Sequence, residues 1–196
     1  MICDAPLSRT QQLKGQKLLN RFSWMNGFSY MCLGETIIIL FAVKLACPNT
    51  LVAALGAMQQ FAFVMMPLGK MVTARIGAAQ SQGSFWVCRN IAALLVASAA
   101  VWEYLGLHLI AQCAILAGAF FFYGFRAAGV VMSKPLAGNF TVEKDRAAFF
   151  ARNTSAFYIS SIAALLMITG ILHYSDSVWI LTAIIILGSS IGITSS

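Results

Sequence analysis

Acidic residues and histidines are scarce in this chain. Of its 196 residues, six are Asp or Glu and two are His, and only 10% carry charge of either sign. The histidines, His108 and His173, stand alone, no two carboxylates share an apolar segment, and no glycine-flanked serine nucleophile occurs. The side-chain sets of an intramembrane hydrolase or zinc enzyme are therefore missing, and neither enzymatic activity nor a cofactor or metal is expected. Five cysteines, Cys3, Cys32, Cys47, Cys88 and Cys113, are scattered without metal-ligand spacing, and three of them lie inside apolar segments. That pattern argues against a disulfide framework. Residues 1–21 hold no apolar core followed by a small-residue cleavage site, so no secretory signal peptide is expected and the first apolar segment is itself the insertion signal.

What the chain has in quantity is apolar sequence. It is 60% hydrophobic with a mean hydropathy of +0.81, a composition suited to lipid as the main solvent. The apolar residues fall into six long segments, roughly Phe22 to Ala46, Leu51 to Leu68, Phe85 to Val101, Leu107 to Met132, Asn153 to Leu172 and Val178 to Ile193. Each has about the length that a helix rising 1.5 Å per residue needs to cross a ~30 Å hydrocarbon core.

The thirteen Lys and Arg residues, against six acids, give a net charge of +7, and their placement sets an orientation. Arg9, Lys14, Lys17 and Arg21 precede the first segment; Lys70, Arg75 and Arg89 lie in or just beyond the second gap; Lys134, Lys144, Arg146 and Arg152 fill the fourth. Only Lys44 lies on the other side, so the positive-inside bias predicts a cytoplasmic N-terminus and, after an even number of spans, a cytoplasmic C-terminus. Basic residues flanking spans suit anionic lipid headgroups, and they form no continuous stripe of the kind that binds nucleic acid. Trp24, Trp86, Trp102 and Trp179 all fall within about one turn of a segment end, where aromatic belts form. Short outer gaps predict helical hairpins of spans one with two, three with four and five with six. The longer gap from Gly69 to Ser84 predicts a short amphipathic or irregular connector.

Two stretches carry a resemblance. Pro67-Leu68-Gly69-Lys70-Met71-Val72-Thr73-Ala74-Arg75-Ile76-Gly77 resembles the glycine-and-arginine loop between helices two and three of the major facilitator superfamily, with Ala74 where that family usually has an acid and Ala78 and Ala79 where it has a basic pair. The stretch from Pro135 to Ala148, including Glu143, Lys144, Asp145 and Arg146, resembles that family's exit from helix four. The resemblance implies an all-α integral membrane protein: a cytoplasmic arm over 1–21 and a six-transmembrane-helix bundle over 22–196, built as two inverted three-helix repeats. It also implies the N-terminal half of a twelve-helix transporter of the cell (inner) membrane, working by alternating access with a second six-helix half on a small-molecule substrate. Gly69, Arg75 and Gly77 would form its cytoplasmic loop motif. Span five lacks the glycine-proline pattern of the family's drug antiporters, which favours symport or facilitated uniport.

Charge inside hydrocarbon costs at least ~2.5–3.5 kcal/mol on insertion scales, so intramembrane ionisable groups are the first functional candidates. Glu35 falls in span one near mid-depth and Arg126 in span four. Gln112, Ala119, Tyr123, Arg126 and Val130 recur on one face of span four, and Ala53, Gly56, Ala57, Gln60 and Pro67 share a face of span two. The expected substrate and proton pathway is Glu35, Arg126, Tyr123, Gln60 and Gln112, with Glu35 a candidate proton carrier and Arg126 a forked donor to an anionic group. The bland reading of Glu35 and Arg126 is a structural ion pair or two snorkelling side chains. Gly188 and Gly192 match small-xxx-small spacing, more often internal packing than a dimer seam. An oligomeric channel or a non-transporting scaffold is the alternative to a transporter. The orientation makes a direct prediction: an impermeant thiol reagent added outside intact cells labels Cys47, and reaches Cys3 only after permeabilisation, whereas the reverse order overturns it.

Overall fold

The computed structural model describes residues 7–195, which leaves Cys3 outside the described residues. The first helix, α1 (Arg9–Cys32), begins at a capping box. The Gln11 N–H donates to the Ser8 hydroxyl at 3.3 Å while the Ser8 N–H donates to the Gln11 amide oxygen at 2.9 Å. These bonds satisfy backbone donors that a helix start otherwise leaves open. Most of the basic arm before Phe22 is consequently helical and continuous with span one. The remaining elements are α2 (Glu35–Lys44), α3 (Asn49–Phe61), α4 (Met66–Ile76), α5 (Ala78–Tyr104), α6 (His108–Val130), α7 (Ser133–Asn139), α8 (Arg146–Tyr174) and α9 (Val178–Ser195). No strand occurs among the described residues. Six helical stretches are long and apolar enough to cross a membrane: α1 with α2, α3 with α4, α5, α6 with α7, α8 and α9. They coincide with the six apolar segments of the sequence.

In packing, α5 lies along α6, α1 along α8, α9 against both α1 and α5, and α3 and α4 against α6. Lipid supplies no hydrophobic force between helices, so seams close through small residues that let backbones approach. Each main seam contains a glycine. Gly27 of α1 meets Phe157 and Ser160 of α8, Gly69 of α4 meets the Ala128 backbone of α6, Gly118 of α6 meets Val96 of α5, Gly188 of α9 meets Cys32 and Leu33, and Gly192 meets Asn90 of α5. The Gly188 and Gly192 spacing thus serves contacts within the bundle.

Three expectations change. Where a short amphipathic or irregular connector was expected from Gly69 to Ser84, the helix of span two continues through Ile76 and that of span three begins at Ala78, so Gly77 alone links them. Its φ of 87° and ψ of 161° are open to glycine and strained for residues with a side chain. In span two the buried residues are Leu51, Leu55, Ala62 and Gly69, and Ala53, Gly56, Gln60 and Pro67 are exposed. Those four do not form a close-packing face against another described helix. Trp86 is 3% exposed inside the bundle, while Trp24, in the body of α1, and Trp179, at the start of α9, are 43% and 54% exposed.

Most basic residues gather at one end of the bundle. At the opposite end Lys44 and Asp176 form an ion pair that ties span one to the turn before α9, and the Lys44 ammonium holds the Asp176 carboxyl below its usual range. Burial, with a further push from Glu103, raises the Cys47 thiol above its ordinary value, so thiol labelling there is faster at alkaline pH.

The seams predict two different glycine effects. Gly69→Ala drives a methyl into the Ala128 backbone and costs about 1–3 kcal/mol as overpacking, whereas Gly77→Ala meets no neighbour and costs about 1–3 kcal/mol through backbone strain alone. Thermal unfolding in detergent measures both, with Gly138→Ala, which also meets open space, leaving the midpoint unchanged or slightly raised.

Candidate functional site

Span one is interrupted in its middle. Gly34 takes an extended conformation, φ −62° and ψ 160°, and caps a new helix whose first residue is Glu35. Glycine is a poor helix former, which supplies the weak point, and a carboxylate in the first turn is favoured by the dipole of the helix it opens. The break leaves Glu35 half-buried, its Oε1 3.9 Å from the position of a Cβ on Gly56 in span two. Span four presents Tyr123 to the same region. Its hydroxyl is buried, has no hydrogen-bond partner, and lies within electrostatic reach of Glu35, Arg126 and Tyr30.

Arg126 lies one turn further along α6 and is half-buried. Its guanidinium carbon stands 4.5 Å from the centroid of the Tyr30 ring, a cation–π contact across spans one and four. Glu35 and Arg126 form no ion pair with each other; the pairs among the described residues are Lys44 with Asp176 and His108 with Glu103. The structural ion-pair reading therefore falls.

Two open cavities meet at Arg126. One of about 230 Å³ lies between spans two and four and is lined by Gln59, Phe63, Met66, Tyr123, Arg126, Ala127 and Val130. The other, of about 300 Å³, lies among spans one, three, four and five, with Ser23, Asn26, Tyr30, Trp86, Arg89, Arg126 and Asn153 in its walls. Of the residues expected from sequence, Tyr123 and Arg126 share the first cavity, and Glu35, which lines neither, lies within electrostatic reach of Tyr123. Gln60 is exposed, and its neighbour Gln59 lines the first cavity instead. Gln112 is also apart, some 21 Å along the axis of α6 from Arg126 at 1.5 Å per residue. Gly69 and Gly77 act in the seam and the turn, and Arg75 is exposed on the last turn of α4.

The sequence reading missed Arg89. Placed in or just beyond the second gap, it is instead 1% exposed, the largest fully buried side chain in the bundle. Its Nη1 donates to Asn26 Oδ1 at 3.1 Å, Nη2 reaches Ser29 Oγ and Asn90 Oδ1 at 3.5 Å, and Nε has no partner. The rings of Trp86 and Phe122 lie 5.1 and 5.6 Å from its guanidinium carbon. The Trp86 indole N–H donates to the same Asn26 oxygen at 2.9 Å. A signal was present, since Arg89 already falls inside the segment from Phe85 to Val101 and stands beside another polar residue, Asn90.

Arg126 is shared by a cavity with the unpartnered Tyr123 phenol and a cavity with Arg89, Glu35 stands at the nearby helix break, and no group of three or more metal-ligating side chains occurs among the described residues. Removing the Tyr123 hydroxyl separates structure from function. Tyr123→Phe deletes an unsatisfied buried group and leaves the unfolding midpoint unchanged or raised, by up to about 1–3 kcal/mol of relieved desolvation; a clear loss of stability would show a hydrogen bond to that oxygen. Comparison with protein-family models, curated proteins and solved structures finds no match for the chain.

Proposed function

We propose that this chain is a six-helix bundle of a membrane transporter that moves a small solute by alternating access, with its basic end in the cytoplasm of a cell whose inner membrane it occupies. The observation that carries the reading is the placement of Glu35 at the break in span one within electrostatic reach of Tyr123, which together with Arg126 lines a cavity that opens from the bundle. Intramembrane ionisable groups facing protein or water mark substrate and ion paths, and discontinuous helices place them at depth.

The packing order supports the same reading. The pairs one with five, three with four, one with six, three with six and two with four exchange among themselves when spans one, two and three trade places with four, five and six, while the smaller contacts of one with two and two with three have no such counterpart. Two inverted three-helix repeats have that property, and so does the half-transporter architecture of the major facilitator superfamily, which the loop motifs at Gly69–Gly77 and Pro135–Ala148 also resemble. Alternating access requires a second six-helix bundle to rock against, whether it belongs to the same polypeptide or to another.

Glu35 is the proposed proton carrier, because a carboxylate exposed by turns to each side can load and release a proton that the helix break holds at depth. In liposomes carrying the complete assembly, Glu35→Gln abolishes uphill accumulation driven by a pH gradient and spares solute exchange. Accumulation that survives this substitution overturns the role of Glu35. Saturable flux by the six-helix chain alone overturns the need for a second bundle and favours an oligomeric channel.

A further inference from the structure

Arg89 and Arg126 open on one cleft, and neither has a carboxylate partner among the described residues. That is a costly arrangement. A buried ion left without a counter-charge costs several kcal/mol after relaxation, and a second cation nearby adds repulsion. Aromatic faces meet part of the cost: Trp86 and Phe122 beside Arg89, Tyr30 beside Arg126. Amide and hydroxyl oxygens meet another part, yet two of the three bonds of Arg89 are long, at 3.5 Å, and Nε donates to nothing. A guanidinium has five N–H donors arranged to grip a planar or tetrahedral anion, and Arg89 leaves much of that capacity unused.

The rest of the wall suits a small polar guest. Asn153 is 8% exposed and its Oδ1 has no partner, while the Asn26 oxygen is already taken by Trp86 and Arg89. Ser23 and Thr154 add hydroxyls at the rim. A cavity of about 300 Å³ fits a small metabolite rather than a macromolecule. Like charges focused by low-dielectric walls create a strongly positive field that concentrates anions.

We infer that this cleft binds a small anion bearing carboxylate or phosphate groups, held between Arg89 and Arg126, with Asn26 and Asn153 contacting its remaining polar atoms. The inference rests on the transport reading only for the movement of the bound anion across the membrane, and names the solute class that the bundle would carry. Two sources share this chemistry: a soluble anion and the phosphate of a lipid headgroup.

Binding by the chain itself, without transport, is the test. The chain in neutral detergent is titrated at constant ionic strength with inorganic phosphate, succinate and citrate, and with succinamide as the uncharged control. Tryptophan fluorescence reports occupancy, because Trp86 lines the cleft, and the unfolding temperature reports stabilisation. At least one anion is expected to give a saturable change and a raised unfolding temperature, and succinamide neither. Arg126→Gln, at a half-buried position, keeps the fold and weakens binding about tenfold or more, as the loss of a charge-assisted hydrogen bond requires. Arg89→Gln acts in the same direction where it folds; where it does not, Arg126→Gln and Asn153→Ala decide.

In nanodiscs of phosphatidylcholine the soluble anion still binds, whereas phosphatidylglycerol suppresses that binding if a headgroup is the natural occupant. Either result supports an anion site. A folded protein with no saturable response to any of the anions, an equal response to succinamide, or unweakened binding in Arg126→Gln overturns the inference. Uptake of an uncharged solute without anion binding sinks this assignment alone, and anion binding without flux in the complete assembly sinks the transport reading alone.

Discussion

The fold is organised around a cation that has to be enclosed without a counter-ion. Arg89 sits in the interior of a bundle whose exterior is apolar, and its charge is met by dipoles and ring faces drawn from several helices. Asn26 and Ser29 come from α1, Trp86 and Asn90 from α5 and Phe122 from α6. The network extends further, because the Ser29 hydroxyl donates to the Gly188 carbonyl of α9 at 2.7 Å and Asn90 donates to the Trp86 carbonyl at the same distance. Spans one, three, four and six therefore share one polar core at the level of Arg89. Partly satisfied polar networks in low dielectric are costly, so the helices around it have little freedom to repack.

Close approach is the second half of that enclosure. Gly192 brings α9 onto Asn90, and Gly129 of α6 brings that helix onto Trp86. Side chains larger than hydrogen at these points would hold the helices apart and admit lipid or water to the guanidinium. The small-residue seams and the buried arginine are one design, in which the backbones approach so that the charge stays covered.

Much of the architecture was legible from the chain alone because lipid imposes length and polarity on every span. Six apolar segments gave six helices, and single ionisable residues such as Glu35 and Arg126 stood out against an apolar background. Linkers were harder. The residues from Gly69 to Ser84 look irregular by composition, yet Ala78, Ala79 and their neighbours are compatible with helix, and only Gly77 has to leave it. Arg89 escaped notice for a related reason. A cation four residues into an apolar segment reads as a flank that reaches toward water, and what reverses this is tertiary: Asn26, Phe122 and Gly192 arrive from other helices. Gln60 against Gln59 was a matter of one position on a helix face, a rotation of about 100° that composition does not resolve. The break at Gly34 is local, and a glycine before a carboxylate in a long apolar run is its trace.

The turn at Gly77 has a kinematic consequence. Spans two and three, 28 and 27 residues long, are joined by one non-helical residue, so their basic ends cannot separate by more than the span of a couple of peptides, each about 3.8 Å between Cα atoms. They share a pivot: they can swing or twist about that point, and they cannot slide apart. The link from span four to span five is of another kind, since a turn and a 3-10 segment (Glu143–Asp145) separate the end of α7 from the start of α8. That link is fastened to α1 instead, where the Gln16 amide donates to the Phe140 carbonyl at 2.8 Å and the Phe140 ring lies against Gly15. Relative movement of spans two and three is accordingly confined to rotation about Gly77, and the link between spans four and five follows α1.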